Sequence, residues 1–125
     1  MKQIISTPNA PQAIGPYSQA VEANGFVFVS GQIPIVPATG QMPDGIEAQT
    51  EQVMRNIGAI LEAAGLTYSN VVKTTVLLKS IDDFATMNGI YAKYFTADCP
   101  ARAAFEVAAL PKGALIEVEV IACKN

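Results

Sequence analysis

The last strand-like segment of the chain alternates strictly between two kinds of position. One set of alternate positions is wholly apolar and consists of Ile116, Val118, Val120 and Ala122. The positions between them include Glu117 and Glu119. Because successive side chains of a β-strand point to opposite faces of a sheet, this pattern predicts a strand with one core face and one face that carries carboxylates. The chain must therefore supply a second layer that covers the apolar face.

Residues 46–64 change the periodicity from that of a strand to that of a helix. One stripe at helical spacing consists of Ile46, Thr50, Val53, Ile57, Ile60, Leu61 and Ala64. Gly65 is expected to end this helix, and Asp44 is predicted to cap its start. Arg55 lies opposite the stripe, one turn after Glu51, so we expect a solvent-exposed pair between these two side chains.

A second helix is predicted to begin near Asp82 and Asp83. Its apolar face consists of Phe84, Met87, Tyr91, Tyr94 and Phe95, with Asn88 just beside it. Strands are predicted at residues 2–5, 19–22, 26–30, 71–78, 102–107 and 115–123. This order predicts an α+β fold in which a mixed or antiparallel sheet carries two helices on one face, and residues 1–125 are expected to form a single domain.

Two short motifs predict the details of the early strands. Asn24-Gly25 separates two apolar runs and favours a hairpin turn. Ser30-Gly31 interrupts the second run, and a glycine there indicates a bulge or a close approach of the backbone to another group.

Composition narrows the possible functions. The chain is 50% hydrophobic and only 15% charged, which predicts that part of its surface is buried between subunits. A net charge of −3 without a basic run disfavours binding to nucleic acid. Cys99 and Cys123 have neither disulfide nor metal-ligand spacing, and neither a signal peptide nor a membrane-spanning run is recognised, so we expect a cytoplasmic protein with free thiols.

The chain contains no histidine. This absence excludes Ser-His and Cys-His nucleophile pairs and most zinc sites. Catalysis would have to use carboxylates, hydroxyls, backbone groups, bound water and an arginine.

Arg102 lies inside an apolar strand-like run, where a half-buried guanidinium needs a partner such as a carboxylate. If the last two strands form a hairpin, Glu117 or Glu119 lies near Arg102. The pair is then either a structural ion pair or the two halves of a ligand cleft, and the pattern alone favours neither. Taken singly, the other candidate residues have structural explanations: a loop anchor is favoured for Tyr17, a strand end accounts for Ser30, and a cap or a bond within its own helix accounts for Asn88.

Several motifs in register resemble the RidA family, also called YjgF/YER057c/UK114. They extend from about Ile4 to Ala122 and comprise Ile14-Gly15-Pro16-Tyr17-Ser18-Gln19, Val29-Ser30-Gly31-Gln32-Ile33-Pro34, the segment 84–91, Pro100-Ala101-Arg102, Leu110-Pro111-Lys112 and the segment 116–122. The resemblance implies a chorismate-mutase-like α+β fold, a homotrimer with clefts between subunits, and no cofactor. It also implies hydrolysis of reactive enamine and imine acids, such as 2-aminoacrylate and 2-aminocrotonate, that pyridoxal-phosphate-dependent dehydratases release.

The family's site residues fall on identifiable positions of this chain. The carboxylate-binding arginine falls on Arg102 and the water-orienting glutamate on Glu117. Other substrate-binding positions fall on Tyr17, Ser30, Gly31, Asn88 and Ala104. Many members read Arg-Ser-Cys-Val where this chain reads Arg102-Ala103-Ala104-Phe105, so a thiol at position 104 has no role here and substrate preference stays open.

Three other functions compete with imine hydrolysis. A non-catalytic regulator could use the same cleft to sense a keto acid or an amino acid. Chorismate mutase chemistry is suggested by fold alone, and its dianionic substrate would require more cations than one arginine. Ribonuclease activity fits poorly with an acidic chain that lacks histidine and a basic patch.

Overall fold

The computed structural model describes residues 1–124 of the chain. Six strands and two α-helices form the fold: β1 Gln3–Ile5, β2 Ala20–Ala23, β3 Phe26–Gln32, α1 Ile46–Ala63, β4 Val71–Leu78, α2 Phe84–Tyr91, β5 Ala101–Glu106 and β6 Ile116–Cys123. Short 3₁₀ turns at Tyr68–Asn70, Ile81–Asp83 and Pro111–Gly113 join some of them. The predicted α+β class and all predicted elements are confirmed, with shifts of one or two residues at their ends except in α2, which ends four residues before the last residue predicted for it.

The six strands form one mixed sheet in the order β1-β2-β3-β6-β4-β5. Only the β4–β5 pair is parallel, and all other neighbours are antiparallel. β5 therefore forms an edge of the sheet, while β4 lies in its interior between β6 and β5. A helix-containing connection is what a parallel pair requires, and α2 supplies it between β4 and β5.

The core lies between the sheet and the two helices. The predicted apolar face of β6 is confirmed, since Ile116, Val118, Val120 and Ala122 are each at most 2% exposed. They pack against α1 residues such as Ile57 and Leu61, which are fully buried. Full burial of one such aliphatic side chain contributes about 1.5–3 kcal/mol relative to exposure, so this layer is the main source of stability.

Within residues 1–124, no layer covers the opposite face of the sheet. Phe28 on β3 is 42% exposed and Phe105 on β5 is 47% exposed, although both are large apolar side chains. Leu77 and Ile121 lie partly exposed on the same face. Exposed apolar patches of this kind are typical of protein–protein contacts.

The hairpin and the bulge were both predicted correctly. Asn24 and Gly25 have φ values of 52° and 81°, which is the left-handed pair that a tight two-residue hairpin turn requires. The register between β3 and β6 shifts between Val29 and Gln32, so Ser30 and Gly31 form the bulge.

Three local predictions were wrong. Helix α1 begins after Gly45 without a side-chain cap, so Asp44 does not cap it. Glu51 forms a salt bridge with Lys93 at 2.7 Å and not with Arg55, because the segment that follows α2 packs against α1. Helix α2 ends at Tyr91, so Tyr94 and Phe95 follow the helix and do not extend its face.

The predicted proximity of the last two strands was also wrong. β5 and β6 do not form a hairpin, because β4 lies between them and pairs with both. Within residues 1–124, no helix is long and apolar enough to cross a membrane.

Candidate active site

The sheet separates the predicted site residues into two groups. Arg102 is the register partner of Thr74, and Thr74 is fully buried on the helix side of the sheet. Glu117 is the register partner of Leu77, which points to the uncovered side. Arg102 and Glu117 therefore project from opposite faces, and the structural ion pair between them is ruled out within one protomer.

Arg102 is held by an amide and two aromatic rings. Its Nη1 donates a hydrogen bond to Asn88 Oδ1 at 2.6 Å. The guanidinium carbon lies 5.3 Å from the ring centre of Phe84 and 4.9 Å from that of Tyr91, within the range of cation–π attraction. The residue is exposed, not half-buried as expected, because β5 is an edge strand.

Arg102 makes no salt bridge with any carboxylate among residues 1–124. A guanidinium has five N–H donors, and Asn88 uses one. The remaining donors can bind a planar carboxylate through two parallel hydrogen bonds. A cavity of about 550 Å³ borders this group and is lined by Asn88, Tyr91, Ala92, Phe95, Cys99, Pro100 and Arg102.

Glu117 lies against the β3 bulge on the other face of the sheet. A Cβ added to Gly31 would lie 2.9 Å from the Glu117 carboxyl carbon, so only glycine leaves room for this side chain. The close approach that the sequence predicted at Gly31 is thus an approach of the bulge to Glu117. Burial raises the pKa of the Glu117 carboxyl, and the negative charge of Glu119 raises that pKa further.

A second cavity of about 630 Å³ surrounds Glu117. It is lined by Pro11, Gln12, Ile14, Tyr17, Ser30, Gly31, Gln32, Ile33, Ile35, Pro111, Lys112, Glu117 and Glu119. The structure therefore brings together Tyr17, Ser30, Gly31 and Glu117. It places Asn88, Arg102 and Ala104 in the other group.

Tyr17 and Ser30 differ in how firmly they are held. The Ser30 hydroxyl donates to the Ser18 carbonyl at 2.6 Å, so it can offer a ligand only its acceptor lone pairs. The Tyr17 side chain is 53% exposed, and its oxygen accepts a weak 3.4 Å bond from the Ile14 amide. Its hydroxyl proton is therefore available to a ligand.

Buried Gln19 fixes the segment that carries Tyr17. Its Nε2 donates toward the carbonyls of Thr7 at 3.0 Å, Ala10 at 3.3 Å and Pro11 at 2.8 Å, and its Oε1 accepts from the Thr7 amide at 2.7 Å. We call residues 7–18 the N-terminal strap. Because Pro11, Ile14 and Tyr17 of the strap line the Glu117 cavity, Gln19 shapes that cavity from outside.

Ala104 follows Arg102 on the same face of β5. It is half-buried and packs against the core. Its methyl group offers neither a thiol nor a hydrogen bond, so position 104 contributes only space and backbone groups.

Sequence reasoning missed several residues at both groups. Phe84 and Tyr91 were assigned to the core face of α2, although both also contact Arg102. Their positions on either side of Asn88 on one helix were the signal that could have identified them. Lys112 lines the Glu117 cavity with a φ of 56°, and periodicity gave no indication of it. Within residues 1–124, no three His, Cys, Asp or Glu side chains form a metal-binding group.

Comparisons with known proteins identify the family of the chain. The family model described as endoribonuclease L-PSP matches residues 7–124. A 2-iminobutanoate/2-iminopropanoate deaminase from Rattus norvegicus is 54% identical, and the match covers 100% of this chain and 92% of the relative. A crystal structure of a protein of the conserved Rid family from Yersinia pestis is 53% identical with a TM-score of 0.96, covering 98% of this chain and 99% of that one.

A ligand-bound structure is also among the similar proteins. The crystal structure of E. coli TdcF with bound serine has a TM-score of 0.95 and 42% identity, and it covers 98% of this chain and 99% of the other. The matches to the family model and to both structures span nearly the whole chain. The two structures, at 53% and 42% identity, are well above the identities that indicate a shared fold alone. The chain is a member of the Rid (RidA, YjgF/YER057c/UK114) family, whose family model carries the endoribonuclease L-PSP description.

Proposed function

We propose that this protein hydrolyses reactive enamine and imine acids, such as 2-aminocrotonate and 2-aminoacrylate, to 2-keto acids and ammonia. The full-length similarity to 2-iminobutanoate/2-iminopropanoate deaminases supports this substrate class. The bound serine of the TdcF structure supports a site for a small amino-acid-like carboxylate. The endoribonuclease description is not supported by the chain's charge of −3 or its lack of histidine.

The main support for this proposal is that the Arg102 guanidinium is held in place but has no carboxylate partner within residues 1–124. The guanidinium is oriented by Asn88, Phe84 and Tyr91, and it is not neutralised by a carboxylate among residues 1–124. An oriented and unpaired arginine at the edge of a cavity is suited to bind the carboxylate of an imino acid.

The complete site requires two protomers. Arg102 and Glu117 leave opposite faces of one sheet, so one substrate cannot reach both within a protomer. We place the site between subunits of a homotrimer, with the arginine from one protomer and the glutamate from the next. The uncovered apolar face around Phe28 and Phe105 supplies a surface for such an assembly.

The proposed reaction begins with the enamine binding through its carboxylate to Arg102. The enamine gains a proton from water at its β-carbon and becomes the iminium ion, which is the protonated imine and has an electrophilic C=N carbon. Glu117 accepts a proton from a water whose oxygen then forms a bond to that carbon, giving a carbinolamine. Proton transfer to nitrogen breaks the C–N bond, ammonia leaves, and loss of the hydroxyl proton gives the keto acid.

The environment of Glu117 suits a general base. A carboxylate with a raised pKa binds a proton more strongly, and general bases act best when their pKa lies closer to the working pH. Positioning and one acid–base group supply on the order of 10²–10⁴-fold acceleration. Tyr17, Ser30, Asn88 and the backbone at Gly31 and Ala104 complete the substrate contacts in this proposal.

The proposed substrate is a product of enzymes that eliminate water from hydroxyamino acids, so the protein would act after them in a reaction sequence. Pyridoxal-phosphate-dependent dehydratases release such enamines, and we propose a functional link to them in the cytoplasm. No stable physical contact between the two enzymes is needed, because the enamine is a free product.

Keto-acid formation from 2-aminocrotonate, generated in place by a threonine dehydratase, tests the proposal. Wild type is expected to accelerate keto-acid formation, and Arg102→Ala is expected to abolish the acceleration while the fold is retained. Arg55→Ala is the matched control, because Arg55 is the other arginine of the chain and lies exposed on α1. A folded Arg102→Ala protein with full activity would overturn the assignment. No acceleration by wild type would favour a regulator that binds carboxylates without turnover.

A further inference from the structure

Arg102, Thr74 and Tyr91 contact one another in a closed loop. Thr74 on β4 is the backbone register partner of Arg102 on β5. The Thr74 and Tyr91 hydroxyls share a hydrogen bond at 2.8 Å. The Tyr91 ring in turn lies under the guanidinium, 4.9 Å from its carbon. The loop connects the strand that carries the arginine to the helix that carries Asn88.

We propose that Tyr91, held by Thr74, is a positioning residue that sets the plane of the Arg102 guanidinium for carboxylate binding. The inference rests on the proposed function, because it assigns the substrate carboxylate to Arg102. Tyr91 acts through the arginine and has no proton-transfer role in the reaction.

An exposed arginine on an edge strand needs such a support. Fixing the long side chain of an arginine in one conformation costs side-chain entropy. The bond to Asn88 fixes one end of the guanidinium, but a single bond leaves rotation about its axis. The aromatic rings of Phe84 and Tyr91 restrict this rotation of the guanidinium, because stacking favours a planar cation that lies parallel to a ring face.

The Tyr91 ring is closely packed. Its residue is only 8% exposed, and its ring centre lies 4.7 Å from that of Phe95. The Thr74 oxygen is fully buried, so its bond to the tyrosine has no competing water. A fixed ring can orient the arginine before substrate arrives, which reduces the ordering that binding would otherwise require.

Two kinds of variant separate the ring from the hydroxyl. Tyr91→Leu removes the ring, whereas Tyr91→Phe and Thr74→Val each remove one partner of the buried hydrogen bond. Tyr91→Leu is expected to raise the KM for 2-aminocrotonate and the Kd for 2-oxobutanoate about tenfold, with kcat changed less than about twofold. Tyr91→Phe and Thr74→Val are expected to raise both constants about two- to threefold, and the double variant no further, because both changes break one bond.

Ile57→Ala is the matched control for lost stability. Ile57 is fully buried on α1 and contributes to the core without contacting Arg102. It is expected to lower the melting temperature while leaving KM and the 2-oxobutanoate Kd unchanged. Tyr91→Phe keeps the ring, so it gives a readout even if Tyr91→Leu does not fold.

The outcomes separate this inference from the proposed function. If wild type binds 2-oxobutanoate but does not turn over the enamine, the deaminase proposal fails while the binding data still test Tyr91. If wild type is active and folded Tyr91→Leu keeps KM and Kd, the positioning role is wrong. A loss of kcat at unchanged KM would also overturn it, because that result assigns Tyr91 to the chemical step.

Discussion

The carboxyl group of Glu117 lies directly against the backbone of Gly31, at the β-bulge where β3 changes register with β6. Gly31, at this bulge, leaves the space that the Glu117 side chain needs to reach the cavity. Gly31 is therefore required for its lack of a side chain and not for an unusual φ, because its backbone angle is not in the left-handed region.

Gly31→Ala should displace the Glu117 carboxyl group, since the added methyl would overlap it. We expect kcat to fall by about 10²-fold, the size of effect associated with a misplaced catalytic group. Gly89→Ala is the control, because a methyl there meets no atom within 4 Å and lies on helix α2. Steady-state kinetics of both variants check the prediction. Equal activity in the two variants would show that the position of Glu117 is unimportant.

Glu119→Gln should shift the pH dependence of the reaction. Burial is the larger cause of the raised pKa of Glu117, and the charge of Glu119 is the second. Removing that charge lowers the pKa of Glu117, so the ionised base persists to lower pH. The acidic limb of the kcat/KM profile is expected to move to lower pH. An unchanged limb, or one that moves upward, would argue against Glu117 as the base.

Glu117→Gln should reduce activity and increase stability at neutral pH. The raised pKa means that folding favours the protonated carboxyl, so wild type loses this contribution as pH rises through the pKa of the folded state. The glutamine variant carries no charge and escapes that loss. Thermal unfolding should show a higher melting temperature for the variant at pH 8 and a smaller difference at pH 4. A variant that is less stable at both pH values would indicate a structural role for the carboxylate.

Gln19→Glu should loosen the N-terminal strap. The glutamate keeps an acceptor for the Thr7 amide but cannot donate to the carbonyls of Thr7, Ala10 and Pro11. Leaving buried carbonyls unpaired beside a new charge costs about 1–3 kcal/mol. We expect faster amide exchange and proteolysis in residues 7–18. Gln41→Glu, at an exposed position, serves as the control, and equal protection in both variants would contradict the role of Gln19.

Some features of the fold followed from local pattern alone. The two faces of β6, the Asn24-Gly25 turn and the buried stripe of α1 depend on spacing along the chain, and each was predicted correctly. The pairing of β5 could not be obtained in this way, because periodicity sorts side chains within a strand but does not identify its neighbour. The strand–helix–strand order around α2 was the available signal for a parallel β4–β5 pair.

The sequence indicated candidate site residues but not their arrangement. The motif resemblance indicated Arg102 and Glu117 as site residues. Their positions on opposite faces of the sheet follow only from the register of β4 with β5 and with β6. The contacts of Phe84 and Tyr91 with Arg102 depend on how α2 crosses the edge of the sheet. The sequence contains no local pattern that encodes this crossing.

We propose that each active site takes Arg102 from one subunit and Glu117 from another. Mixing inactive Arg102→Ala and Glu117→Gln proteins, after dissociation and reassembly, tests it most directly. Random assembly into trimers gives about a quarter of the interfaces both native residues, so deaminase activity should return to about a quarter of the wild-type value. A mixture that stays as inactive as its two components, although mixed oligomers have formed, would contradict a shared site.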